Sequence, residues 1–101
     1  MNLANHKTID NPSKQRFELE GDDGIAVIDY KIGKTGKWYL VHTEVPENWE
    51  GLGAGYKIVR EALNILDQRG EKIIPICPFI KVFIKKHKDD YEHLLADGVK
   101  L

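Results

Sequence analysis

Three glycines at alternate positions, in the run Glu50-Gly51-Leu52-Gly53-Ala54-Gly55, separate a strand-like segment from an amphipathic helix. The strand-like residues are 38–45, and Pro46 ends them just ahead of the glycines. Glycine lets a backbone approach a ligand closely, and the first amides of a helix have no intrahelical partner. The positive end of the helix dipole adds to those amides, and together they form a cradle for phosphate or pyrophosphate. A chain organised around such a joint is expected to be an α/β domain that binds a nucleotide-like ligand.

The rest of the chain supplies the elements for that domain. Phe17 and Leu19 alternate with polar residues over 16–20, as in a half-buried strand. Gly21-Asp22-Asp23-Gly24 makes a hairpin-type turn into a second strand over 25–32. Gly33-Lys34-Thr35-Gly36-Lys37 turns again into the third strand at Trp38, so the first half reads as an antiparallel meander. The period then changes. Ala54, Ile58, Val59, Ala62, Leu63, Ile65 and Leu66 form a helical stripe that stops near Arg69-Gly70. Residues 72–76 are apolar enough for a buried strand, and a helical crossover makes its pairing with the third strand parallel. Pro78 suits a helix start, with Phe79, Val82, Phe83 and Lys86 at helical spacing behind it. A short segment at 91–95 packs back as a last turn. Residues 1–14 are read as a flexible leader and 15–101 as one domain.

Composition narrows the partners. The chain has 101 residues, 42% of them apolar and 31% charged, as in an ordinary globular domain. No window approaches the roughly 20 apolar residues of a membrane span, and residues 1–12 carry no signal-peptide core. A net charge of −1 gives no global attraction to nucleic acid or membrane. One cysteine excludes an internal disulfide and suits a reducing, cytoplasmic setting. Lys81, Lys85, Lys86, His87 and Lys88 cluster ahead of Asp89, Asp90 and Glu92, either as a solvated helix face or as a patch for a ligand's phosphate. His6, His42, His87 and His93 have no metal-ligand spacing with the cysteine, so no metal is expected.

Two nucleotide motifs are excluded by single positions. The dinucleotide fingerprint counted from Gly51 requires a small sixth residue, and Tyr56 stands there. A P-loop ending at Gly33-Lys34-Thr35 requires an upstream glycine, and Ile28 stands there. The surviving pattern is strand, bend, Gly-x-Gly-x-Gly, helix, strand. In that pattern Glu50–Gly55 resembles the pyrophosphate signature of GNAT-type N-acetyltransferases, except that Glu50 occupies a place usually held by Gln, Arg or Lys. His42-Thr43-Glu44-Val45-Pro46 and Ile74-Pro75-Ile76-Cys77-Pro78-Phe79 extend the likeness to a subfamily of very short GNAT-like proteins, over roughly 15–93.

The resemblance implies a mixed sheet in which the strands on either side of the helix splay apart, and a thioester enters the gap. It implies acetyl-coenzyme A as the ligand. Val45 would pair with the pantetheine arm, and Gly51, Leu52, Gly53, Ala54, Gly55 and Tyr56 would hold the pyrophosphate. Pro78 and Phe79 would flank the coenzyme, with Lys85 or Lys86 reaching the adenosine phosphate.

Cys77 is the foremost candidate for chemistry. It stands at the end of a strand and beside a helix start, which favours the nucleophilic thiolate. A cysteine among apolar residues also serves as inert packing. Strand alternation places His42 and Glu44 on one face with Trp38 and Leu40, so His42 is a candidate base and Glu44 its orienting partner or a second base. Trp49 covers the ligand or simply packs.

The expected activity is transfer of acetyl from acetyl-coenzyme A to an amine, of a protein lysine or a small molecule, through Cys77 or by direct attack. The alternatives are a non-catalytic acyl-coenzyme A-binding or sensing module and a redox-responsive cysteine protein. A monomer or weak homodimer is expected.

Overall fold

The computed structural model describes residues 2–101. Five strands form one sheet in the order β1 (Ile9–Asn11), β2 (Arg16–Glu20), β3 (Ile25–Ile32), β4 (Trp38–Glu44) and β5 (Ile73–Pro75). All neighbours are antiparallel except β4 and β5, which are parallel and joined through helix α1 (Ala54–Gln68). Helix α2 (Pro78–Lys86) and the short α3 (Lys88–Tyr91) follow. This is the mixed α/β architecture expected from the alternation of periods.

Phe17, Leu19, Ala26, Ile28, Tyr30, Trp38 and Leu40 line the sheet face that meets the helices. Against them α1 presents Ala54, Ile58, Val59, Ala62, Leu63 and Leu66, a stripe recurring every three to five residues. Its C-terminus closes as the sequence suggests. Gly70 takes φ 73°, its amide donates to Asp67, and the Glu71 amide donates to Leu66, a Schellman closure that a residue with a Cβ would strain. The rings of Phe17, Tyr30 and Trp38 pack together at 4.5–6.1 Å between centroids. Apart from the buried Val27, side chains of opposite parity, among them Arg16, Glu18, Asp29, Lys31 and Tyr39, are half-buried or exposed.

The N-terminal segment departs from expectation. Residues 1–14 were expected to form a flexible leader, yet within them β1 pairs with β2 and Leu3 enters the core. Polar bonds, invisible to a hydrophobic pattern, hold it. The amide and hydroxyl of Thr8 both donate to one Glu61 oxygen at 2.9 Å, while Asp10 accepts from Tyr30 at 2.6 Å and from Arg69 at 2.8 Å. Burial opposes ionisation of Glu61, but the Thr8 donors and Lys57 hold its carboxyl below the ordinary range. Burial, then the Asp10 carboxylate, pushes the Tyr30 hydroxyl up.

At the other end, Leu95 bridges to Ile73 and the Ala96 amide donates to the Ile73 carbonyl at 2.9 Å. The outer edge of β5 is thereby paired at Ile73.

Candidate active site

The pairing of β4 changes part-way along it. Trp38, Tyr39 and Leu40 face Ile73, Ile74 and Pro75, and there the β4–β5 ladder stops. The Leu40 carbonyl accepts from both the Ile76 and Cys77 amides, at 2.9 and 3.0 Å, as the chain leaves the sheet for α2. From His42 to Glu44, β4 continues beside β3 but has no β5 partner. A strand edge is thus left open beside the start of α2.

A bulge sits at the same place. Tyr30 is opposite Leu40 while Asp29 is opposite His42, so Val41 is the extra residue. A bulge exchanges the faces of everything beyond it. Thr43, opposite Ile28, therefore turns toward the helices, and its hydroxyl accepts from the Cys77 thiol at 3.5 Å. His42 and Glu44, opposite Asp29 and Val27, turn the other way and are exposed. The expectation that they share a face with Trp38 and Leu40 is corrected by this single residue.

The glycine loop is fixed from below. A 3₁₀ turn over Glu47–Trp49 follows Pro46, and the Trp49 indole is 2% exposed. Its N–H donates to Asp23 at 2.8 Å, and Asn48 donates to the same carboxylate at 2.6 Å. These bonds tie the loop to the β2–β3 turn, and the indole donor is the main reason that the Asp23 carboxyl titrates below its ordinary range. Trp49 is therefore mainly a buried anchor, though its edge reaches the cavity wall.

Gly51 and Gly53 take φ 82° and 73°, and a Cβ on either would meet nothing within 4 Å. They face open space in a conformation that suits glycine. The Leu52 amide is spent on the Trp49 carbonyl, and the first rung of α1 runs from the Lys57 amide to Gly53. The amides of Ala54, Gly55 and Tyr56 lie ahead of that rung, and no side chain caps the helix. At Gly55 a Cβ would come within 3.0 Å of the Phe79 ring, so this glycine lets α2 close on α1.

Loop, strand edge and helix enclose a cavity of about 400 Å³ lined by Thr43, Val45, Glu50, Gly53, Gly55 and Phe79, with Tyr56 at its rim. Cys77 caps α2, is 5% exposed, and adjoins this cavity through Thr43. Residues 16–94 match the family model of the GCN5-related N-acetyl-transferases. The chain belongs to that family. Membership supports a general acetyltransferase function. Among the described residues no helix is long and apolar enough to cross a membrane.

The other residues singled out from sequence fall into two groups in this GNAT domain. Pro78 occupies the first turn of α2, and Phe79 projects from it, partly exposed, into the cavity wall. Among the described residues Glu50 is the one charged side chain on the wall. The Lys86 ammonium donates to the Tyr56 hydroxyl at 3.4 Å, and Lys85 and Lys86 together line a second concavity that includes no residue of the glycine loop. The residue missed from sequence is Thr43. Nothing short of the bulge reveals it, because the alternation of β4 reads as unbroken.

Proposed function

We propose that this domain binds acetyl-coenzyme A and transfers its acetyl group to an amine. The observation that carries the proposal is the meeting of uncommitted helix amides and an unpartnered strand edge around one cavity lined by Thr43, whose hydroxyl accepts from the buried Cys77 thiol. The residues present fit such a ligand. Open space over Gly51 and Gly53 admits a pyrophosphate, and the free edge of β4 near Val45 offers backbone partners for an amide-bearing arm.

When bound, acetyl-coenzyme A supplies an acetyl group already activated as a thioester. The amides of Ala54, Gly55 and Tyr56 hold the diphosphate by charge-assisted hydrogen bonds. Phe79 walls the cavity from the α2 side. Thr43 orients the Cys77 thiol, which would either take up the acetyl group, its proton passing to the departing coenzyme A thiolate, or line the site while the amine attacks directly. His42 and Glu44 stand on the other face of the sheet, so they serve as bases only for an amine that arrives from that face. The acceptor is the amine of a protein lysine or of a small molecule.

That placement of His42 and Glu44, with neither beside Cys77, also favours a second reading, in which the domain binds acyl-coenzyme A without turning it over. One experiment separates the readings. Calorimetric titration with acetyl-coenzyme A, with ATP and NAD as controls, is expected to show saturable binding of acetyl-coenzyme A alone. Intact mass after incubation then reports an acetyl group on Cys77, and release of free thiol with an amine panel reports turnover. Binding without either favours the non-catalytic module, and absence of binding by folded protein removes both readings.

A further inference from the structure

The glycine loop stands mostly in solvent. Among the described residues of the stretch 47–53 Trp49 alone is buried, and a Cβ at Gly51 or Gly53 would meet open space. A loop of that kind has many shapes open to it, and a ligand that requires one shape binds more weakly the less often that shape is populated. Whatever orders the loop beforehand therefore contributes to affinity without touching the ligand.

Trp49 carries that order into the loop. Its amide donates to the Pro46 carbonyl and its own carbonyl accepts from Leu52, both at 3.0 Å. The Leu52 bond closes the chain over Gly51 and delivers it to Gly53, the residue that precedes α1. The Trp49 indole is seated in turn on the β2–β3 connection. Its N–H donates to one oxygen of Asp23 at 2.8 Å, and the Asn48 amide donates to the other at 2.6 Å. The connection is itself closed by the Gly21 amide on the Gly24 carbonyl at 2.9 Å. A Cβ at Gly24 would come within 3.1 Å of the Pro46 ring and 3.6 Å of the indole, so the missing side chain lets the turn and the base of the loop meet. Asp23 thus grips two successive residues of the loop base, one with each oxygen.

We infer that Asp23 is a positioning residue for ligand binding: through the Trp49 indole it holds the glycine loop, and with it the amides at the start of α1, in the shape that receives a diphosphate. This rests on the coenzyme A reading and adds to it a residue that is not on the cavity wall. The aspartate acts as an acceptor for two donors, not as a charge, because its carboxylate points at the loop base and away from the ligand's cradle. A side chain at position 23 that still accepts from the indole therefore keeps the role, and one that cannot accept loses it.

The test uses the full chain, titrated calorimetrically with acetyl-coenzyme A and followed by amide exchange without ligand. Asp23→Ala removes both acceptors, and Trp49→Phe removes the indole N–H while keeping a ring. Each is expected to weaken binding about fivefold, and the double variant to bind no more weakly than the weaker single one, because both cut the same connection. Asp23→Asn keeps an acceptor for the indole, and the Asn48 amide turns over to meet its NH₂, so affinity near the original is expected. In ligand-free protein the Leu52 amide is expected to exchange about fivefold faster in Asp23→Ala, with rates in the middle of α1 unchanged. Asp23 is exposed, so Asp23→Ala and Asp23→Asn decide the matter even where Trp49→Phe fails to fold. Original affinity in Asp23→Ala, losses that add in the double variant, or a loss in Asp23→Asn equal to that in Asp23→Ala each overturn the positioning role and leave the coenzyme reading standing. Unchanged exchange at Leu52 overturns it as well. Failure of the unaltered protein to bind removes the coenzyme reading and the ligand role of Asp23 with it.

Discussion

The Cys77 thiol donates to the Thr43 hydroxyl at 3.5 Å, across a gap that β5 does not fill. The backbone of Cys77 is tied to the same strand three residues earlier, through the Leu40 carbonyl. Both ends of the cysteine are therefore referenced to β4, and its sulfur cannot swing without breaking one of these bonds.

A hydroxyl accepts from a thiol and, after rotation, donates to a thiolate. Thr43→Val keeps the shape and loses both capacities, while Thr43→Ser keeps them. Alkylation of Cys77 by iodoacetamide, followed by intact mass across pH, is expected to slow about threefold or more in Thr43→Val and to stay near the original rate in Thr43→Ser. Equal rates in all three proteins would show that the thiol is independent of Thr43.

His42 stands on the face away from Thr43 and the cavity, opposite Asp29. Its replacement by alanine is expected to leave acetyl-coenzyme A affinity within about twofold, as for other exposed substitutions. Acetyl transfer to an amine that arrives from the His42 face is expected to fall about a hundredfold, the contribution of a positioned base. An intact transfer rate in His42→Ala would assign the proton to another group or to solvent.

Much of this arrangement is readable from sequence because the elements that carry it are amphipathic. The Phe17–Leu19 alternation, the Ile58–Leu66 stripe and the glycine stop at Gly70 each act locally, and each is realised where its pattern predicts. β1 is different. Ile9-Asp10-Asn11 has no apolar alternation, and it joins the sheet through backbone pairing and through bonds from Asp10 to Tyr30 and Arg69, residues 20 and 59 positions away. The bulge at Val41 is equally silent, because Trp-Tyr-Leu-Val-His-Thr-Glu contains no glycine or proline to mark which residue is displaced. One inserted residue decides that Thr43, not His42, meets Cys77. The link between Tyr56 and Lys86 depends on how two helices pack, which periodicity within either helix does not encode.

Gly53 and Gly55 are two residues apart but are expected to fail differently. Gly53→Ala forces an L-residue into the left-handed region, at a cost of about 1–2 kcal/mol, and puts a methyl where a diphosphate would lie. Melting temperature is expected to fall by about 5–10 °C. Acetyl-coenzyme A affinity is expected to fall about tenfold or more, as a lost charged hydrogen bond implies. In Gly55→Ala the methyl meets the Phe79 ring at 3.0 Å, so α2 must shift or the ring must turn. A change in Phe79 packing is therefore expected, read by near-ultraviolet circular dichroism. Identical signatures in the two variants would contradict the separate roles.

Acid should loosen the N-terminal segment first. Glu61 is ionised in the folded protein below the ordinary glutamate value of 4.5, so its bonds to Thr8 and Lys57 contribute fully above that value. Their contribution is lost as pH falls from 4.5 through the lower, folded value, where the folded carboxylate takes up its proton. Melting temperature is expected to decline in that window, with amide exchange at Thr8 and β1 rising before exchange in α1. Glu61→Gln should lower the melting temperature at neutral pH and flatten the decline. A remnant is expected to persist from Glu18, whose carboxyl burial opposes but Arg16 and Asn11 hold below its ordinary value. An unchanged acid limb in Glu61→Gln would mean that the carboxylate does not hold the segment, and that Leu3 and the β1–β2 pairing suffice.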